Sequence, residues 1–155
     1  MRQPVVPPAL RGVHDRWHFA PAMRAGGLVF CSGIIGTSPD GEPPATGLMG
    51  AEAATADPEA ALAALVAVRD PEAQFATAFE ALRAILREAG SDLADLVELT
   101  SYHVDMARHL PVFTAVRDRY LSPPWPAWTA VEVKSLVLPG GLVELRAVAA
   151  ARDRA

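Results

Sequence analysis

The chain has 155 residues, 51% of them apolar and 21% charged, with a formal net charge of −4. That is the size and composition of one domain with a core of its own. The acidic balance and the lack of a Lys/Arg stripe exclude nucleic-acid binding as a main role. Cys31 is the only cysteine, which excludes a disulfide framework and a cysteine metal cluster. The first residues lack the apolar core of a signal peptide, and no apolar run approaches 18 residues. A cytoplasmic protein without membrane contact is therefore expected.

Residues 1–12 are Pro-rich and read as an arm or an early extended segment. The run LVFCSG at 28–33 reads as a buried strand ending in glycine. Residues 36–50 carry several Gly and Pro and read as loop. The tetrapeptide DPEA then occurs twice, at 57–60 and 70–73. Each copy has the form of a helix start, with Asp as N-cap, Pro at the first helical position and Glu in the first turn. The first copy leads into a short Ala-rich helical stretch, 57–68, within an Ala/Pro/Gly-rich insertion at about 42–70. A flexible loop is the competing reading there.

The second copy opens a helix over about 71–89, with Phe75, Phe79, Leu82 and Leu86 at helical spacing and Gly90 as its stop. A strand is predicted over 95–105 and a second helix over 108–121, with Pro111 in its first turn. Two further strands follow, about 127–134 and 142–150, joined through Pro139-Gly140-Gly141. This order points to an α+β fold with the helices on one sheet face. Alternation in the last two strands puts Thr129, Val131, Val133, Val143, Leu145 and Ala147 under the helices. It puts Trp128, Ala130, Glu132, Leu142, Glu144 and Arg146 on the other face. That second set mixes charge with apolar bulk, as an oligomer interface holding a wet pocket does.

Four segments together resemble a known family. VFCSG at 29–33, EAGSDLADLVELTSYHVDM at 88–106, PAWTAVEV at 126–133 and LVELRAVA at 142–149 are similar, in order and spacing, to the motifs of the RidA/YjgF family, also labelled endoribonuclease L-PSP. The resemblance covers about 13–38 and 71–150. It implies a chorismate-mutase-like fold, a mixed β-sheet with two helices on one face. It also implies a homotrimer whose sheets line a central barrel, with a small-molecule cleft between subunits. The better-known members hydrolyse enamines and imines to 2-oxo acids and ammonia, without metal or cofactor.

Carried over by position, Glu144 matches the glutamate that positions water and Ser32 the cleft serine. Phe19 stands where many members have tyrosine, Ile34 where glutamine is common, and Thr114 near a frequent asparagine. Trp128 replaces the arginine that grips the substrate carboxylate, and Ala130 stands at a position often held by cysteine. An indole offers one neutral donor and makes no bidentate ion pair. Arg146, two residues from Glu144 on the same strand face, is the candidate substitute cation; pairing with Glu144, Glu132 or a neighbouring subunit is its competing role. Trp128 reads either as a stacking wall for a flat or cationic ligand or as packing in the subunit interface. His14, His18, His103 and His109 lack a zinc-binding pattern. Two functions follow: an imine- or enamine-type hydrolase or deaminase using Glu144, or a non-catalytic small-molecule-binding or regulatory trimer. Ribonuclease activity is the weakest reading, given the acidic balance.

Overall fold

The computed structural model describes residues 1–44 and 65–152. The strands are β1 (Arg2–Val5), β2 (Ala22–Ala25), β3 (Leu28–Cys31), β4 (Thr37–Ser38), β5 (Val66–Ala67), β6 (Leu96–His103), β7 (Ala127–Glu132) and β8 (Val143–Ala150). The α-helices are α1 (Arg11–Trp17), α2 (Pro71–Glu88) and α3 (Met106–Tyr120). Six strands form one sheet in the order β1-β2-β3-β8-β6-β7, and β4 pairs with β5 apart from it. All neighbours in the large sheet are antiparallel except β6 and β7. That parallel pair needs a crossover, which α3 supplies.

The second DPEA copy starts α2 as the sequence implies. Asp70 accepts a hydrogen bond from the Ala73 N–H at 2.9 Å, and Pro71 follows at the first helical position. Gly90, at φ +74°, turns the chain out of the helix, a conformation that costs glycine little. Phe75, Phe79, Leu82 and Leu86 are all fully buried against Val29, Leu99, Leu145 and Ala147 of the sheet. Phe113 of α3 completes this core, edge-on to Phe75 at 5.7 Å and stacked on Phe79 at 6.0 Å between ring centres. Gln74 is buried among them and ties three backbone groups together. Its Nε2 donates to the carbonyls of Val68 and Gly140, and its Oε1 accepts from the Leu142 N–H. A polar side chain is stable there because both of its N–H donors and its oxygen have partners.

Several expectations need correction. The helical stretch expected at 57–68 lies mostly outside the described residues, and its described end is extended: Val66–Ala67 pairs with Thr37–Ser38, within a segment read as loop. The N-terminal segment takes the extended form of the two readings, β1 pairing with β2, while the helix α1 that follows was not expected. Helix α3 begins at Met106, so Pro111 lies in its second turn rather than its first.

The largest correction concerns β7. Opposite residues of neighbouring strands share a sheet face. Leu99 pairs with Trp128 and Ala147, Ser101 with Ala130 and Leu145, and His103 with Glu132 and Val143. Trp128, Ala130 and Glu132 therefore stand on the helix side, while Thr129 and Val131 share the open side with Glu144 and Arg146. The faces read for β8 are correct, and those read for β7 are inverted. β7 is an edge strand that the helices scarcely cover, and Val131 is 40% exposed. Alternation in such a strand carries no burial signal.

Candidate functional site

Phe19, Ser32 and Glu144 come together. They line one cavity of about 180 Å³, with Trp17 and Val13 of α1, Ile85 of α2, and Val137. The chain reaches Glu144 by a short bridge: Ile34 pairs with Leu145 in both directions at 2.9 Å, so residues 32–35 run beside the start of β8. Gly33 sits where the glutamate folds over this bridge. A Cβ at Gly33 would lie 1.6 Å from Glu144 Oε1, so a side chain there is incompatible with the carboxylate position.

Glu144 is the only charged residue among the described residues lining the cavity. Its burial among apolar groups raises its carboxyl pKa, because low polarity disfavours the ionised form. Ser32 donates its hydroxyl proton to the Ala20 carbonyl at 2.6 Å. That leaves its oxygen lone pairs, not its proton, to meet a ligand. Ile34, at the position where glutamine is common, is buried and lines the same cavity. Cys31 is buried, and desolvation pushes its thiol up to about 12, so it is unreactive at neutral pH.

The other site residues lie elsewhere in the chain. Trp128 and Glu144 are on opposite faces of the sheet. The Trp128 indole donates from Nε1 to Ser101 Oγ at 2.9 Å, and its ring lies 6.4 Å from Phe113. The Arg117 guanidinium sits 4.4 Å from the centre of the Trp128 ring. The ring face that the indole was expected to offer a flat or cationic ligand is thus taken by the protein's own arginine. Arg117 is held in turn by Asp118, through Nε at 2.8 Å and Nη2 at 2.7 Å. Ser101 is also paired with His103 Nε2 at 2.8 Å, and burial lowers the His103 pKa. Thr114 bonds back to the Pro111 carbonyl within α3. Arg146 does share the open face with Glu144, but its partner is Glu98 of β6, at 3.4 Å. Glu132 accepts from the Met106 N–H at the start of α3.

Sequence reasoning missed Trp17 and Val13, because α1 was not foreseen, and Gly33, which was read as a strand end and part of a family motif but not as a neighbour of Glu144. It also missed Arg117, which a helical count from Phe113 toward the end of α3 would have placed beside Trp128. Among the described residues no cluster of His, Cys, Asp and Glu fits a metal, and no helix is long and apolar enough to cross a membrane.

Comparison with known proteins gives a consistent picture. The family profile described as Endoribonuclease L-PSP matches residues 13–151. The RutC family protein YjgH of Escherichia coli (strain K12) is 29% identical over 133 residues, covering 85% of this chain and 83% of that protein. A solved structure of a protein YjgH superposes with a TM-score of 0.73 at 27% identity, over 99% of this chain and 98% of that one. Rv2704 of Mycobacterium tuberculosis, described as a member of the YjgF/YER057c/UK114 family, superposes with a TM-score of 0.70 at 24% identity, over 97% and 100%. These likenesses carry the chorismate-mutase-like fold expected from the sequence.

Proposed function

Since the chain belongs to the endoribonuclease L-PSP family, also called RidA/YjgF, we propose that it hydrolyses a small imine or enamine in a cleft between the subunits of a cytoplasmic homotrimer. The observation that carries this reading is Glu144, a lone carboxylate in an apolar cavity beside Ser32. In the hydrolysis, Glu144 accepts a proton from water as the water oxygen bonds to the C=N carbon. That proton passes to nitrogen, and as the C–N bond breaks the remaining hydroxyl proton follows it, leaving a carbonyl compound and ammonia. The raised pKa of Glu144 makes it a stronger base than an exposed carboxylate. The Ser32 oxygen accepts an N–H of the substrate, since its own proton is committed to Ala20.

Trp128 and Thr114 lie away from this cavity within one chain, and in this reading a neighbouring subunit brings them to it. The open sheet face, with Thr129, Val131 and the Glu98–Arg146 pair, supplies the subunit contact. Arg146 belongs to that contact rather than to a substrate clamp. The absence of any basic residue among the described cavity-lining residues favours a second reading, a binding or regulatory trimer that performs no hydrolysis.

The test generates imines in situ with an amine oxidase or an amino-acid oxidase and traps them with semicarbazide. Suppression of semicarbazone formation by the wild type, lost in Glu144→Gln, is the expected result. No suppression with either oxidase overturns hydrolysis in favour of binding alone. Light scattering is expected to give about three times the 16.4 kDa chain mass, and a monomer overturns the trimer.

A further inference from the structure

The Glu144 cavity has a one-sided chemistry. Its walls are aliphatic and aromatic, including Val13, Trp17, Phe19, Ile85 and Val137, and the single charge among its described lining residues is negative. The arginines considered above as cations are committed elsewhere: Arg146 to Glu98, and Arg117 to Asp118 and the Trp128 ring. Arg24 donates to the Ala89 carbonyl at 2.9 Å. A ligand carboxylate entering this cavity meets a like charge with no cation beside it among the described lining residues, at a site where water screens poorly. A ligand ammonium or iminium meets a carboxylate that lacks a partner among the described residues, and Trp17 and Phe19 line the same cavity with aromatic rings, which attract cations. Trp17 and Phe19 are 52% and 37% exposed, so both are open to such a ligand.

We propose that this pocket selects a cationic amine-type ligand with an apolar body, so that the substrate is an imine of a primary amine rather than of an amino acid. The proposal rests on the pocket reading given above and narrows its substrate class. The reaction balances as an iminium, R–CH=NH2+, plus water giving an aldehyde, R–CHO, plus ammonium. The water oxygen forms the new C–O bond, and both water protons end on the departing nitrogen, the first carried by Glu144 and the second released from the hydroxyl as the C–N bond breaks. The Trp128 substitution is then coherent, because a substrate without a carboxylate has no use for a guanidinium clamp.

The test compares 3-phenylpropylamine, 3-phenylpropanol and 3-phenylpropanoate, which share one body and differ in charge, by calorimetric titration of the full chain near neutral pH. The amine is expected to bind roughly 10- to 100-fold more tightly than the carboxylate, the range of a hydrogen bond to a charged partner. Glu144→Gln is expected to bring the amine to the affinity of the alcohol. Val137→Arg, at a position 67% exposed beside the cavity, is expected to shift the preference toward the carboxylate and serves if the Gln variant misfolds. A carboxylate that binds the wild type as tightly as the amine overturns the proposal, as does failure of all three to bind. Imine trapping separates this from the parent reading. Turnover of amino-acid imines in preference to amine imines overturns the substrate class and leaves hydrolysis standing. Amine-selective binding without turnover supports the site and overturns hydrolysis.

Discussion

Replacing Gly33 by alanine probes whether the position of the Glu144 carboxylate, and not only its presence, matters. The added Cβ would lie 1.6 Å from Oε1, 2.6 Å from Cδ and 3.0 Å from Cγ of Glu144. Ordinary contact begins near ~3.5 Å, so the carboxylate must retreat by about 2 Å. It is the far end of a flexible side chain, and Gly33 does not adopt a positive φ. The backbone therefore has no reason to move, and an altered rotamer costs only about 0.5–1.5 kcal/mol, a few degrees in Tm. Water oriented by the carboxylate is displaced by a similar distance. Misplacement on the scale of 1 Å costs roughly a hundredfold in rate. The assay pairs kcat/KM for imine hydrolysis with thermal unfolding. A large fall in kcat/KM with a small change in Tm is the expected outcome. Activity within about twofold of wild type in a folded protein would refute the positional argument, and global unfolding would refute the view that only a side-chain end must yield.

Other outcomes follow from the same geometry. Burial raises the Glu144 pKa, so the folded state holds this proton to higher pH than the unfolded state does. The contribution to stability is full below the unfolded pKa and is lost as pH rises through the folded one. Glu144→Gln, though inactive, should therefore be at least as stable as wild type near neutral pH; urea midpoints across pH check this, and a clear loss of stability there would contradict it. Phe113→Ala should cost about 3–5 kcal/mol, since its ring contacts Phe75, Phe79, His103 and Trp128; a cost below about 1 kcal/mol would mean that the cluster repacks. Gln74→Leu strands the Val68 and Gly140 carbonyls and the Leu142 N–H. About 1–3 kcal/mol per buried unsatisfied group is expected, read as a lower denaturation midpoint. Trp128→Phe removes the donor to Ser101 and should lower stability by about 1–2 kcal/mol, read as a lower denaturation midpoint.

The sequence by itself determined the two main helices, because capping and periodicity are local. Asp70-Pro71-Glu72 fixes one end of α2, and the Phe75–Phe79–Leu82–Leu86 stripe fixes its buried face whatever lies beneath. It determined the inner face of β8 as well, because Val143, Leu145 and Ala147 lie on a central strand whose alternation reflects burial. The cavity trio of Phe19, Ser32 and Glu144 was legible only through motif order. The short elements β1, β2, β4 and β5 left little trace, since pairs of two to four residues are held by their partners rather than by propensity. Only the tertiary structure decided the orientation of β7. An edge strand that the helices scarcely cover has no clear hydrophobic code, so its faces follow from hydrogen-bond register with β6, and that register turned Trp128 toward Phe113 and Arg117. The Gly33–Glu144 contact was likewise invisible in sequence: it joins residues more than a hundred positions apart, through a close approach that only the folded backbone creates.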